Sequence, residues 1–384
     1  MRNLPIWIYL PAIVFSLLSF SVFPKILLEI ITVPQTRVAS DFNPYLTGGI
    51  LLRSGQGRFL YNLSEARKIQ KQISFPYQMP RIPYRAAPLA ALFYVPLSFL
   101  SIGMAYSLYL FISISLFCLL FWLLKQVFFR ELSPLLYFLI AYSFTPLLVG
   151  LLQGQPTVIE FSSFVLSLIF FYRRQYLTSG LFLSLLTFKP HIFLPIFIIL
   201  LSTRKIRFFS GAALGSFLGL TTSIALVGLP SLLSYPRFLT YTENPTFGTY
   251  LEGSSSILSF MTLYLPKNIS FFIIVLLITC FLIFLIILSA NSRVHITSAL
   301  SLFSFASLVG LTFSFHTGHH DLILLIIPIF FFLSQKKYLF CLLLFFITLP
   351  YWLNPIMVIR PFIYLFIALT QIPKFWPPPL SSKP

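Results

Sequence analysis

The chain has 384 residues, of which 58% are hydrophobic and only 9% are charged. A soluble domain carries about 25% charged residues, so this composition excludes a water-soluble globular protein. The formal net charge of +18 would favour a nucleic-acid partner only if the cations formed one surface. The Lys and Arg residues instead lie in short loops between apolar runs, where they meet anionic lipid headgroups. We expect membrane lipids and no nucleic acid as partners.

The apolar runs predict an all-α polytopic membrane protein, because a spanning helix needs about 20 apolar residues. The first run covers residues 4–31 and is predicted to be an uncleaved transmembrane helix, since it is longer than a signal-peptide core. With the later runs, the expected total is about 11–13 transmembrane segments. Residues 1–371 are interpreted as one membrane domain, and the Pro- and Ser-rich residues 372–384 as a flexible tail.

A polar segment, residues 32–85, follows the first helix. Short helices are predicted near residues 45–52 and 64–73, with Ser64 capping the second and Glu65 in its first turn. The first of them has an apolar face suited to lying on a membrane surface. Five residues form this face: Phe42, Tyr45, Leu46, Ile50 and Leu51.

The later runs are interrupted at three places. Pro88 and Pro96 break the run after the polar segment, Gln153–Pro156 joins two further runs, and Lys189-Pro190 divides the run from residue 177 to 201. The basic loops after Tyr172, after Thr203 and at residues 336–337 are cytoplasmic under the positive-inside rule. Charge alone would place the basic segment 32–85 on the same side.

Asp41 is a candidate catalytic residue, because Asp41 and Asp321 are the chain's two aspartates and each lies at the mouth of an apolar run. One interpretation is a helix-end carboxylate that caps the following turn. The other is a general base that removes the proton from an attacking hydroxyl group. Partial desolvation at an interface would raise the pKa of Asp41 towards a useful value.

A second candidate cluster covers residues 314–321, in which His316, His319 and His320 precede Asp321. It is interpreted as a hydrated turn between helices, as a metal site, or as a phosphate-binding site whose imidazole N–H groups stabilise developing negative charge. The spacing matches no zinc signature, and we favour phosphate binding.

Lys189 and Glu160 are ionisable residues inside apolar runs, where charges are costly and often functional. Lys189 either extends to the interface at the break made by Pro190 or contacts a lipid phosphate. Glu160 either takes part in substrate binding or pairs with a neighbouring Arg.

Several stretches together resemble glycosyltransferase family 87, the polyprenyl-phosphate-mannose-dependent α-mannosyltransferases of the GT-C superfamily. The resemblance runs from about Asp41 to Pro328 and rests on the order and spacing of its motifs. They are Asp41-Phe42-x-x-Tyr45 with Gly55 and Tyr61, Pro83-Tyr84 to Pro88 with Pro96-Leu97, Gln153-Gly154-Gln155, Gly180 to Lys189-Pro190, and His319-His320. The chain departs from the family pattern at Pro156-Thr157 and at Asp321.

The resemblance implies a GT-C-type fold with the segment 32–85 as an outer loop, and this implication overrides the charge argument. It also implies that a hexose, namely mannose, is transferred with inversion from a polyprenyl-phosphate donor to a lipid or glycan acceptor. Asp41 would act as the catalytic base. The leaving phosphate would be held by basic groups of the protein. The resemblance implies that no metal ion and no other cofactor takes part. The expected phosphate-binding residues are His319, His320, Lys189, Arg85 and Arg81, and the expected substrate-binding residues are Tyr45, Gln155, Glu160, His316 and Asp321.

Two other functions compete with this one. A transporter or flippase of lipid-linked sugars would also be polytopic and basic, but it needs no carboxylate base and often has repeated halves, which this sequence lacks. A polymerase or ligase of surface polysaccharide usually carries a large late outer loop, whereas the largest polar segment here is the first. The expected location is a bacterial inner or plasma membrane, with the active site on the outer side.

Overall fold

A computed structural model of the chain describes residues 40–77, 82–201, 203–242, 298–314, 317–348 and 360–370, together with residues 13, 17, 23–25, 27–33, 247 and 256–257. All regular elements in these ranges are helices, which confirms the all-α polytopic class. The helices are α1 Phe42–Arg53, α2 Leu63–Ser74, α3 Pro88–Leu92, α4 Ile102–Phe128, α5 Pro134–Tyr142, α6 Thr145–Gln153, α7 Thr157–Tyr172, α8 Tyr176–Ser184, α9 Pro190–Leu201, α10 Ile206–Val227, α11 Leu229–Thr242, α12 Ala299–Phe313, α13 Ile326–Ser334, α14 Tyr338–Ile347 and α15 Arg360–Leu369. Short 3₁₀ helices lie at Gly57–Phe59, Pro96–Phe99, Leu185–Phe188 and His319–Leu325.

Within the described residues, α4 and α10 are each long and apolar enough to cross a membrane. The pair α5 and α6 meets the same criteria together, but it is bent by 48° between them. The expected total of 11–13 segments therefore stays a prediction. The other helices are shorter because polar turns and prolines divide the apolar runs, as at Lys189-Pro190.

The turns that link the membrane helices divide into two groups at opposite ends of the bundle. One end carries four basic turns, and contacts between aromatic residues near them hold the turns together. The ring centroids of Phe128 and Tyr172 are 5.0 Å apart, and those of Phe129 and Phe330 are 5.3 Å apart. The Lys205 ammonium group lies 5.2 Å from the centroid of the Tyr176 ring. The cations in these turns or in the adjoining ends of the helices are Lys125 and Arg130, Arg173 and Arg174, Arg204, Lys205 and Arg207, and Lys336 and Lys337.

The opposite end holds the polar segment and the candidate site. Helix α10 begins beside Lys205 and ends at Val227, about 33 Å away for 22 residues at 1.5 Å per residue. Its last turn contacts Gly57, where an added Cβ would lie 2.1 Å from the carbonyl oxygen of Leu226. The segment that follows α1 therefore lies at the end of the bundle away from the four basic turns.

The structure corrects two expectations for the polar segment. The apolar face of α1 does not lie on a membrane surface, because Phe42, Tyr45, Leu46 and Leu51 are buried in the core. The rings of Tyr84 and Tyr94 cover Tyr45, at 5.5 and 5.0 Å between centroids. Helix α2 is capped by Asn62, whose Oδ1 accepts hydrogen bonds from the backbone of Ser64 and Glu65, because Asn62 and not Ser64 precedes the first helical residue.

Candidate active site

The turn between α6 and α7 connects Asp41 to the rest of the site. Gln155 in this turn donates a hydrogen bond of 2.7 Å from Nε2 to Asp41 Oδ2. Two residues earlier, Gln153 Oε1 lies 3.1 Å from His320 Nδ1. One turn therefore joins the start of α1 to the late histidine segment, although these lie far apart in the sequence.

Gly154 allows this turn to adopt its conformation. The φ angle of Gly154 is 69°, in the left-handed region that residues with a Cβ rarely adopt. A Cβ at this position would also lie 2.4 Å from the Cβ of Phe42, which is fully buried. Glycine is required here for both reasons, and the close approach lets Gln155 reach Asp41.

Tyrosine hydroxyl groups fix the turn and the orientation of the Gln155 amide. Tyr94 donates to the carbonyl oxygen of Gly154 at 2.9 Å, and Tyr109 donates to that of Gln155 at 2.6 Å. Tyr45 donates to Gln155 Oε1 at 2.9 Å. Because Oε1 accepts the bond from Tyr45, Nε2 is the atom that faces Asp41. Tyr45 and Gln155 are thus brought to Asp41, and their roles in substrate binding stay predictions.

Asp41 is half-buried, and burial raises the pKa of its carboxyl group above the usual value of 3.8. The hydrogen bond from Gln155 and the positive charges of Arg85 and Lys189 oppose this rise in the pKa. The side chain makes no cap for α1. The helix-cap interpretation therefore finds no support, and the carboxylate is held by Gln155 on one oxygen.

Lys189 is buried between two carboxylates. Its ammonium group donates to Glu160 Oε2 at 2.7 Å and to Asp321 Oδ1. These contacts and the burial of Lys189 do not fit extension to the interface, and its expected contact with a lipid phosphate stays a prediction. Glu160 pairs with this lysine rather than with an Arg, because Lys189 lies at the break between the 3₁₀ helix Leu185–Phe188 and α9, within hydrogen-bond distance of Glu160 in α7.

The histidine segment is fixed by Asp321. Asp321 Oδ2 accepts a hydrogen bond of 2.7 Å from the backbone of Gly318, and Oδ1 lies 3.3 Å from His320 Nε2. Both ring nitrogens of His320 are therefore within reach of protein acceptors. His319 differs: Nε2 lies 3.3 Å from Thr145 Oγ1, while Nδ1 is buried with no hydrogen-bond partner.

Two arginines contribute charge to this region. Arg85 is half-buried and donates from Nη2 to the carbonyl oxygens of Thr242 and Phe247, at 3.0 and 2.9 Å. Arg360, at the start of α15, is fully buried and acts electrostatically on His319. Arg360 is not among the residues predicted from the sequence, although an arginine in an otherwise apolar stretch is a usable signal. Thr145 carries no such signal, and Gln153 is predicted only as part of the turn motif, without a contact to His320.

Two expected site residues, Arg81 and His316, lie outside the described residues. In the part of the chain that the structure does describe, no group of three or more His, Cys, Asp or Glu side chains is arranged to hold a metal ion. The expectation of no metal and no cofactor stays a prediction.

The comparison with protein families identifies the class of enzyme to which this site belongs. The model of glycosyltransferase family 87 matches residues 87–328. The chain belongs to this family. No curated protein and no solved structure matches it. The protein is therefore a membrane glycosyltransferase that takes a sugar donor and an acceptor, and the resemblance seen in the sequence is confirmed.

The matched interval of family 87 includes one part of the site and leaves out another. Gln155, Glu160, Lys189, the histidine pair and Asp321 lie inside it, whereas Asp41, Tyr45, Arg85 and Arg360 lie outside. The hydrogen bonds of the α6–α7 turn join these two parts. Asp41 thus enters the site through its contact with Gln155 and not through the family match.

Proposed function

We propose that the protein transfers a hexose, mannose, from a polyprenyl-phosphate donor to a lipid or glycan acceptor, with Asp41 as the general base. The observation that carries this proposal is the hydrogen bond between Gln155 Nε2 and Asp41 Oδ2. It holds a half-buried carboxylate in one orientation at the end of the bundle where charged and polar side chains converge. The sugar and the donor class come from the resemblance to family 87.

The reaction is a single displacement. The acceptor hydroxyl oxygen forms a bond to the anomeric carbon while the bond from that carbon to the phosphate oxygen breaks. The hydroxyl proton passes to Asp41, and the bonding electrons leave with polyprenyl phosphate. A β-linked donor gives an α-linked product because attack comes from the face opposite the leaving group. A carboxylate with a raised pKa is a stronger base than an ordinary aspartate.

The leaving phosphate would be bound by His319 and Arg360. His319 Nδ1 is a buried ring nitrogen with no hydrogen-bond partner in the protein. The Thr145 hydroxyl group donates to the carbonyl oxygen of Thr348 and therefore accepts from His319 Nε2, so Nδ1 would donate to a phosphate oxygen when the ring is protonated. Arg360 lies close enough to His319 to act on it electrostatically, and an arginine fork suits phosphate geometry. His320 is assigned a positioning role, since Gln153 and Asp321 approach both of its nitrogens.

Lys189 is assigned a positioning role as well. Its ammonium group is shared between Glu160 and Asp321, so a phosphate would have to compete with two buried carboxylates. Glu160 Oε1 is buried with no hydrogen-bond partner. A donor or acceptor hydroxyl group is a suitable partner for this oxygen, in agreement with the expected role of Glu160 in substrate binding.

The topology supports an active site on the outer side of the membrane. The positive-inside rule applies to cations in short loops, and the four short basic turns lie at the end of the bundle opposite the site. With those turns in the cytoplasm, Asp41 and the segment after α1 face outwards. Polyprenyl-phosphate sugars rather than nucleotide sugars are the donors that fit this side.

The test is transfer of radiolabelled mannose from polyprenyl-phosphate mannose into membrane lipids and glycans. Asp41→Asn should reduce transfer by about 10²–10⁴-fold, the usual contribution of general base catalysis. Glu131→Gln is a matched control, because it makes the same carboxylate-to-amide change at an exposed residue of the basic end, away from the site. Equal transfer by wild type and Asp41→Asn would remove Asp41 from the mechanism. Absence of transfer by wild type would contradict the donor assignment and favour a flippase, which a flipping assay would detect.

A further inference from the structure

A groove of about 750 Å³ lies at the outer end of α10, apart from Asp41 and the histidine segment. Its volume is within the roughly 300–1,000 Å³ typical of small-molecule sites. One wall is the stretch from Arg58 to Ser64, and the other runs from Val227 into α11. Its polar and aromatic lining includes Arg58, Tyr61, Asn62, Ser231, Ser234 and Tyr241.

We propose that this groove binds a saccharide unit of the acceptor at a distance from the reacting hydroxyl group. The lining combines aromatic rings with hydroxyl and amide groups, which suits the apolar faces and the hydroxyl groups of a sugar. Of the residues that line it, Arg58 alone carries a charge. A phosphate headgroup would favour several converging cations, so the composition favours a neutral saccharide over a lipid phosphate.

Two polar groups in the groove are available to a ligand. Ser231 Oγ is buried with no hydrogen-bond partner in the protein, and a buried hydroxyl group normally has one. Asn62 uses its Oδ1 to cap α2, which leaves its Nδ2 amide group outside the cap. Tyr241 contributes an exposed ring, against which the C–H face of a sugar can pack.

The groove is also connected to the active site. Tyr61 in its wall stacks on Tyr235 with 4.9 Å between ring centroids. The hydroxyl of Tyr235 donates to the carbonyl oxygen of Arg85, and that of Tyr61 donates to the carbonyl oxygen of Ala86, both at 3.0 Å. A saccharide that packs against Tyr61 would therefore contact a side chain that is hydrogen-bonded to the backbone next to Arg85. The positive charge of Arg85 in turn acts on the carboxylate of Asp41.

The proposal rests on the proposed transferase function, but its test has a part that does not. Ser234→Trp fills the groove from an exposed position of α11, and Leu233→Trp is the matched control, since Leu233 is 70% exposed on the same helix and does not line the groove. The full chain in neutral-lipid nanodiscs is titrated with mannotriose, cellotriose and chitotriose to about 10 mM, above the millimolar range of weak binding. Saturation-transfer NMR detects the bound sugar.

We expect at least one trisaccharide to bind wild type, Leu233→Trp and Asp41→Asn, and to lose at least tenfold in affinity for Ser234→Trp. In the transfer assay, Ser234→Trp should raise the acceptor KM about tenfold and leave the donor KM unchanged. Absence of binding by wild type, or equal binding by Ser234→Trp, would overturn the groove proposal even if mannose transfer is observed. Binding to the groove without any transfer would instead contradict the transferase proposal alone.

Discussion

Gln155 donates from Nε2 to Asp41 Oδ2 at 2.7 Å, which joins two residues 114 positions apart. The same amide accepts a hydrogen bond from Tyr45 through Oε1. The amide therefore has a fixed orientation, and it stabilises the ionised form of the carboxylate that we propose as the base.

Gln155→Met should shift the pH profile of transfer. Burial raises the pKa of Asp41 and the Gln155 hydrogen bond opposes the rise, so loss of that bond raises the pKa further. The base acts only when deprotonated, and the acidic limb of kcat/KM should move to higher pH. Gln175→Met, at an exposed turn on the basic end, is the control. An unshifted limb in Gln155→Met would show that the bond does not tune Asp41.

Gly154→Ala should destabilise the protein more than Gly55→Ala. Both glycines have φ of 69°, and left-handed backbone costs a residue with a Cβ about 1–2 kcal/mol. At Gly55 nothing lies within 4 Å of an added Cβ, whereas at Gly154 the Cβ of Phe42 lies at 2.4 Å. Overpacking adds about 1–3 kcal/mol, and thermal unfolding in detergent would measure the difference. Equal losses of stability in the two variants would contradict the close contact with Phe42.

Lys189→Met should be strongly destabilising. Removal of the ammonium group leaves Glu160 and Asp321 as buried carboxylates without their cation, and breaking a buried ion pair in this way costs about 3–5 kcal/mol. Lys336→Met, at an exposed position in a basic turn, should change stability by less than about 0.5 kcal/mol. Unfolding curves at matched lipid and detergent concentrations compare the two variants.

A further variant separates the stability role of Lys189 from phosphate binding. In Lys189→Met/Glu160→Gln one buried carboxylate becomes neutral, and we expect part of the lost stability to return. Recovery of the donor KM together with stability would support the positioning role. A donor KM that stays raised in the more stable double variant, and that Glu160→Gln alone leaves at the wild-type value, would instead favour direct contact between Lys189 and the donor phosphate.

His319→Ala and His320→Ala should affect transfer in different ways. His319 Nδ1 has no hydrogen-bond partner in the protein, and we expect its loss to reduce kcat by about 10²–10³-fold, as for removal of one donor that stabilises developing charge. His320 contacts Gln153 and Asp321, so His320→Gln, which keeps polar contacts, should retain more activity than His320→Ala. Wild-type kcat in His319→Ala, which has no N–H group to offer the phosphate, would contradict direct phosphate stabilisation.

Cysteine labelling in intact cells would test the sidedness. In a background without Cys118, Cys280 and Cys341, cysteine is introduced at the exposed positions Gln56 and Gln335. A membrane-impermeant maleimide should label Gln56→Cys and leave Gln335→Cys unmodified until the cells are lysed. The reverse pattern would place the active site in the cytoplasm and exclude the proposed donor.

The sequence alone determined the fold class, because membrane helices must satisfy their backbone hydrogen bonds internally and so appear as long apolar runs. It also located the breaks at Pro88, Pro96 and Lys189-Pro190, since proline removes a backbone donor and disrupts a helix. The short helices of the polar segment and the family followed from local patterns and motif order.

The tertiary structure decided which polar residues meet. Pairing of Lys189 with Glu160 and Asp321, and of Gln155 with Asp41, depends on how α1, α7 and the histidine segment pack. Local sequence periodicity carries no information on such distant contacts. In the structure α1 is buried in the protein core. Its apolar face is equally compatible with a membrane surface, so the sequence could not distinguish the two. An apolar helix face indicates only that these side chains are removed from water. Whether lipid or protein covers that face depends on how the neighbouring helices pack.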